Sequence, residues 1–405
     1  FADRVHAAGL RTFIADVLDV IHRCTDLQLV QVLAHQAVAM EVKPATIDRF
    51  NPPERFVWRD FSDVSMRSFF VLFDMALLVI ASGLMTMRAL EAADLLHKDG
   101  VDVSFGRQVI TLGDGFIIND DGLNLGKGVA DGEFNRGGAY YLAARKAFDR
   151  TAVLRLGGKQ GWRGDLMWLK SDNHYQADTS MAVTNIEHVA DAGTLGLSWI
   201  RGLDVDQRYA QIMGLEHRDG MDTVSVRGRG NLGVKDLELA GEYVTQDRTG
   251  GRENAWYLEG NWTFSELPWT PTATYRYSRF SEGFDPLFYG LSRGYGTWFQ
   301  GEVAANYAGP FNKNSQVHHV ALKGKPRDNL TVGALYFDFD TLDTDQGNLG
   351  GRELDLYVEW MVNDHLLISP VVGFYKPERS AANGGTQLGG RDTGTYLQLI
   401  VGTFF

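Results

Sequence analysis

Two sets of charged side chains fall at every second position of segments that otherwise carry apolar residues in alternation. The basic set is Arg155, Arg163, Arg227, Arg229, Arg276 and Lys323; the acidic set is Glu238, Glu242, Glu259, Glu353, Asp355 and Glu359. Basic residues concentrate in the first half of this alternating region and acidic ones in the second. Guanidinium groups give bidentate contacts to carboxylates, and aromatic rings give sugars a stacking surface. This chemistry is reversible binding, suited to passing an anionic solute along a wall. Each such residue also has a structural reading, as an ion pair that cross-links the wall. The sequence has no G-x-S-x-G, no H-E-x-x-H and no phosphate loop. Asn119-Asp120-Asp121 lacks the spacing of a known calcium loop, and His318-His319 puts adjacent rings on opposite strand faces. No catalytic residue, metal site or cofactor is therefore expected.

The elements that must position these charges are strands. From Val101 onward, segments of about ten alternating residues recur between turn residues. In Gly351–Val362, Leu354, Leu356, Val358, Trp360 and Val362 oppose Glu353, Asp355, Tyr357 and Glu359. In Glu253–Phe264, Trp256, Leu258, Trp262 and Phe264 oppose Glu253, Tyr257, Glu259 and Asn261. Asp222–Gly230 and Thr194–Ile200 read the same way. The chain stops on YLQLIVGTFF (396–405), where Leu397, Leu399, Val401 and Phe405 share a face. One such strand is common in soluble sandwiches. A long succession, with Trp and Tyr near strand ends, predicts an all-β antiparallel transmembrane barrel. Phe405 is then expected at the membrane boundary, with the last strand pairing with the first.

Loop lengths sharpen this reading. Counting back from the end, long connections (377–392, 341–350, 282–315, 202–221, 171–182) alternate with short ones (363–364, 325–328, 265–270, 231–233, near 192, 159–160). Outer-membrane barrels sort their loops in this way, with short periplasmic turns and long external loops. Keeping the short turns on one side places Trp298–Tyr307 inside the long external loop 282–315. It also makes Ala139–Asp149 a short helix rather than a strand. About fourteen strands are then countable. The glycine-rich stretch 110–150 after the first strand is expected to fold inward, adding Asp114, Asp120, Asp121, Arg136, Arg145 and Lys146 to the inner charges.

Composition agrees. The chain has 405 residues, 44% hydrophobic and 12% aromatic, with 46 Gly and only 10 Pro. Mean hydropathy is slightly negative, unlike a helical membrane protein. A net charge of −12 argues against nucleic acid as a partner. Cys24 is the single cysteine, so no disulfide can form within the chain. Residues 1–97 have a different texture. Ala7–Met40 has helical spacing, Asn51-Pro52-Pro53 breaks it, and Phe69–Met87 is an apolar run interrupted by Asp74. This part is expected to be helical or non-native.

DGVDVSFGRQVITLGDG (99–115), with strand-borne Gly106-Arg107-Gln108 before a long insertion, resembles the alginate-export family of outer-membrane barrels. GRELDLYVEW (351–360), GFYKPE (373–378), WFQGEV (298–303) and the closing aromatic strand resemble it too. The resemblance covers about 98–405. It implies a barrel of about 16–18 strands when complete, a charged constriction that includes Arg107, a bacterial outer-membrane location, and passive export of an anionic polysaccharide. Implied partners are that solute, outer-membrane lipid, and periplasmic export or insertion machinery. A general diffusion porin and an outer-membrane hydrolase are the other readings.

Overall fold

The computed structural model describes residues 100–121, 147–291, 293–295, 300–304, 312–345, 347–385 and 390–404. The segment 1–97, the candidates Arg136, Arg145 and Lys146, and the terminal Phe405 lie outside the described residues.

Fourteen strands follow one another: β1 Val101–Gln108, β2 Phe148–Gly157, β3 Gly161–Lys170, β4 Ser180–Ala190, β5 Gly193–Asp204, β6 Asp222–Gly230, β7 Leu237–Arg248, β8 Gly251–Thr263, β9 Thr272–Phe280, β10 Ser315–Arg327, β11 Leu330–Thr341, β12 Gly351–Asn363, β13 Leu366–Pro377 and β14 Gly394–Thr403. They form one sheet whose order in space is the order in sequence. This is the all-β antiparallel barrel class that the alternation predicts. No helix among the described residues is long and apolar enough to cross a membrane. Contacts divide the chain into two units. In the smaller, the described residues are 100–105 and 152–156, where Arg155 Nη1 lies 3.9 Å from Asp102 Oδ1. The larger holds residues 106–151 and 157–405.

One end of the sheet has the turns 158–160, 191–192, 231–236, 264–271, 328–329 and 364–365. The other has the connections 171–179, 205–221, 281–314, 342–350 and 378–393. That second end also has a tight turn, 249–250, which loop sorting alone does not anticipate. Gly250 and Gly251, at φ 107° and 143°, allow the reversal. Within 139–149, read from the sequence as a helix, Phe148 and Asp149 begin β2. Helix-forming Ala, Arg and Lys precede them, but strand pairing decides the last residues.

The two faces differ in chemistry. Tyr275, Val320, Tyr336, Leu354 and Phe374 are register partners across five successive strands, and all five are exposed. One residue along, Glu259, Arg276, His319, Phe337, Glu353 and Tyr375 form a second row, entirely buried. On β14, Leu397, Leu399 and Val401 are 76%, 65% and 56% exposed. A soluble sandwich buries the apolar row and exposes the charged one; here the arrangement is inverted. Exposed Trp162, Trp262 and Trp360 lie on the apolar face near the short-turn end, as an interfacial aromatic band requires. A lipid-facing charge at mid-strand costs about 2–4 kcal/mol. Leu258→Arg, at a 62% exposed outward site, is therefore expected to lower the denaturant midpoint of the vesicle-inserted protein, while Leu258→Phe leaves it unchanged.

Candidate solute pathway

The inward face is not uniform. On β10–β13 it is apolar: Val317, Leu335, Phe337, Phe339, Tyr357, Val371 and Tyr375 cluster with Val303 and Ala304 of the β9–β10 connection. That connection is fixed by Glu353, whose carboxylate accepts the main-chain N–H groups of Glu302, Val303 and Ala304 at 2.6, 2.7 and 2.7 Å. Tyr295 stacks on Tyr357 with centroids 3.6 Å apart. Glu353 and its neighbour Asp355 are thus covered, at 1% and 0% exposure, while Glu359 is exposed.

On β3–β9 the inward face is mixed: Leu169, Met181, Val183, Ile200, Val244 and Phe280 are buried on it, and its charged residues form a ladder across strands. Arg163 pairs with Glu187, and Arg227 pairs with the same Glu187. Arg227 also donates to Asn185 and, at 2.6 Å, to Ser198 Oγ. Its guanidinium lies where a Cβ on Gly196 would sit, so the absence of a side chain there lets it cross the strand. Glu242 is buried opposite Arg227 and accepts from Ser225. Arg229 donates to Glu238 Oε2 at 2.9 Å. Arg276 Nη1 lies 3.3 Å from Glu259 Oε2.

Residues 110–121, 284–291 and 293–295 lie against this ladder. They are joined to each other: Phe288 N–H donates to Ile117 O at 2.9 Å and Asn119 N–H to Phe288 O at 2.7 Å. Phe116 packs on Tyr257 and Phe280 at 5.0 and 5.6 Å. Asp114 accepts the Tyr257 hydroxyl at 2.8 Å and lies 3.4 Å from Arg229 Nη1. Gly113, at φ 55°, has no room for a Cβ, which would run into Arg227 Cδ. Arg293 joins these charges: its Nε is 3.0 Å from Asp114 Oδ1, and its Nη1 pairs with Glu259 and lies 3.7 Å from Glu238. Partial burial works against its charge, but Glu259 and Asp114 outweigh this and raise its pKa above the usual arginine value.

Arg163, Arg227, Arg229, Asp114, Glu187, Asp191 and Glu238 line one cavity of about 520 Å³ at the short-turn end. The structure thus gathers Asp114, Arg163, Arg227 and Arg229, and joins Arg276 and Glu259 to them through Arg293. Arg107 is elsewhere: after Gly106, at φ 94°, it pairs with Asp149 and lies 3.7 Å from Asp172. Sequence reasoning does not find Arg293, because it sits in a long loop, in SRGYG, with no period to assign it a face. It also does not find Arg218 and Asp285, which tie the connections 205–221 and 281–314 together: Arg218 Nε and Nη2 donate to Asp285 at 2.6 and 2.8 Å. Among the described residues, no group of three or more His, Cys, Asp or Glu is placed to hold a metal.

No family model matches the chain, and no curated protein matches it. Solved structures do. OccK8 (OprE) of Pseudomonas aeruginosa is 11% identical, with a TM-score of 0.49 over 75% of this chain and 77% of that one. The outer membrane protein OprD of Pseudomonas aeruginosa is 15% identical, with a TM-score of 0.41 over 62% and 68%. Wzi of Escherichia coli, an outer-membrane protein involved in group 1 capsule assembly and a carbohydrate-binding β-barrel, is 9% identical, with a TM-score of 0.44 over 75% and 67%. Likeness at this level carries no functional reading, which rests instead on the side chains described above.

Proposed function

We propose that the protein is a passive channel of the bacterial outer membrane for anionic oligosaccharides, polysaccharides or small acids, similar to alginate exporters. The observation that carries this is the inversion of faces: apolar rows outside, an arginine–carboxylate ladder inside. Arg163, Arg227 and Arg229 around one cavity supply donors in the fork geometry that carboxylates and vicinal hydroxyls accept. A volume of about 520 Å³ admits one or two sugar rings at a time. No group in this reading needs to react, so transport is by diffusion along the ladder.

A general diffusion porin is the second reading. It is favoured by Asp114, Glu187, Asp191 and Glu238, four carboxylates that line the same cavity and outnumber its three arginines. Single-channel conductance in planar bilayers, with and without uronate oligomers, separates the two. Concentration-dependent block supports the first; current indifferent to the sugar supports the second. Arg229→Glu reverses one half-exposed cavity charge and is expected to shift the cation-to-anion permeability ratio roughly threefold toward cations. An unchanged ratio places Arg229 off the conducting path.

A further inference from the structure

Two residues from the exposed apolar row, toward the long-connection end, the outward face of β9–β13 turns polar. Tyr277, His318, Asp338, Arg352 and Lys376 are successive register partners there. Arg352 and Lys376 stand directly opposite one another on β12 and β13, both exposed and both cationic. Facing side chains of this kind have Cβ atoms about 4.5–5.5 Å apart, and like charges in that relation repel. One carboxylate serves the two. Asp338 Oδ1 is 3.5 Å from Arg352 Nε, and among the described residues Lys376 has no carboxylate within ion-pair distance. The matching outward row on β5–β8 is built differently: Arg201 pairs with Asp222, and Arg252 lies 3.8 Å from Asp247, so two cations meet two carboxylates. The group of Asp338, Arg352 and Lys376 thus carries one cation more than it neutralises. Its level follows from Trp360 at the short-turn boundary. Eight residues along β12 separate Trp360 from Arg352, about 27 Å of strand. At the usual tilt this is about 20 Å of membrane depth, close to the height of an outer-membrane apolar band. Arg352 and Lys376 therefore stand at the opposite boundary, with exposed Leu354 and Phe374 next to them on the hydrocarbon side.

We propose that Arg352 and Lys376 hold the phosphate of one lipid headgroup in the leaflet at the long-connection end, with its acyl chains against Leu354 and Phe374. A phosphate between the two cations turns their repulsion into charge-assisted contacts, the guanidinium offering paired donors and the ammonium a point charge. The apolar row adjoining the pair selects a lipid over a soluble anion. The inference rests on the membrane reading of the sheet, and the test separates the two. The full chain in detergent micelles is titrated with three probes, and bound molecules are counted by native mass spectrometry. Dioleoyl phosphatidic acid has phosphate and chains, dioleoylglycerol has the same chains without phosphate, and glycerol phosphate has no chains. Phosphatidic acid is expected to bind roughly tenfold more tightly than either of the others. Arg352→Gln combined with Lys376→Gln is expected to abolish that preference. Should the double variant fail to fold, Lys376→Gln alone, at an exposed position, is expected to reduce it roughly fivefold. Arg252→Gln removes an outward arginine that has its own carboxylate, and is expected to leave the preference intact. Equal retention of phosphatidic acid and dioleoylglycerol, or a preference that survives loss of both cations, refutes the seat and leaves the membrane reading standing. Glycerol phosphate bound as tightly as phosphatidic acid makes the pair a soluble-anion site and overturns the lipid proposal. A chain that stays monodisperse without detergent and retains neither acyl lipid overturns the membrane reading as well.

Discussion

Exchange of Arg276 for methionine is expected to destabilise the folded protein by about 3–5 kcal/mol, the usual result of stranding one member of a buried ion pair. Arg276 and Glu259 are 2% and 6% exposed and face each other on β9 and β8. Without Arg276, the Glu259 carboxylate keeps, among the described residues, Arg293 and the Asn261 amide, which donates at 2.9 Å. Arg293 softens the loss, so the lower end of the range applies. The pair itself need not be worth more than an apolar replacement. Glu259→Leu combined with Arg276→Met is therefore expected to recover part of the loss, and the cycle of four proteins yields the coupling. The measurement is the urea midpoint and slope of the vesicle-inserted protein. A loss below about 1 kcal/mol matches an exposed pair and shows that water reaches Glu259 freely.

Arg218→Met is expected to free the connection 281–291. Asp285 is buried and accepts from Arg218 twice, and His217 Nε2 lies 2.8 Å from it. Burial alone would raise its pKa, but Arg218, and after it His217, hold the carboxyl well below the ordinary range. A depressed carboxylate contributes stability that is fully present above its unfolded pKa and lost only as pH falls through the folded one. The clasp is therefore intact at neutral pH. Its removal leaves a buried carboxylate short of its cation, at a local cost of about 3–5 kcal/mol. The Leu287 amide donates to Asp285 Oδ1 at 2.8 Å and reports directly. Its hydrogen exchange is expected to accelerate by more than roughly 100-fold, with noisier single-channel current. Unchanged exchange at Leu287 means that other contacts fix the loop.

What is legible in the sequence follows from the period of two. Leu354 and Leu356 outward, Glu353 and Asp355 inward, can be written down from GRELDLYVEW alone, because pleating forces alternation and hydrocarbon tolerates only one of the two sets. The sorting of loops follows from the same hairpin geometry. What is not legible is where a loop goes after leaving a strand. Asp114 meets Tyr257 across 143 residues, and Arg218 meets Asp285 across 67; neither spacing carries a period. The apolar cover over β10–β13 is hidden for the same reason. Phe337, Phe339 and Tyr375 are inward by alternation, but whether they meet water or Val303 depends on a path that only tertiary packing sets. Phe148 and Asp149 show the local version: a helix-prone sequence yields to a strand partner.

The central claim is that alternate side chains touch hydrocarbon and their neighbours do not, and nitroxide labels along β14 test it most directly. Single labels at 396 to 401 in the vesicle-inserted protein are measured for collision with oxygen, which concentrates in acyl chains, and with a neutral nickel chelate, which stays in water. The account predicts high oxygen and low nickel contact at 397, 399 and 401, and the reverse ordering at 396, 398 and 400. Six labels with no alternation, or with nickel contact highest at 397, 399 and 401, contradict it.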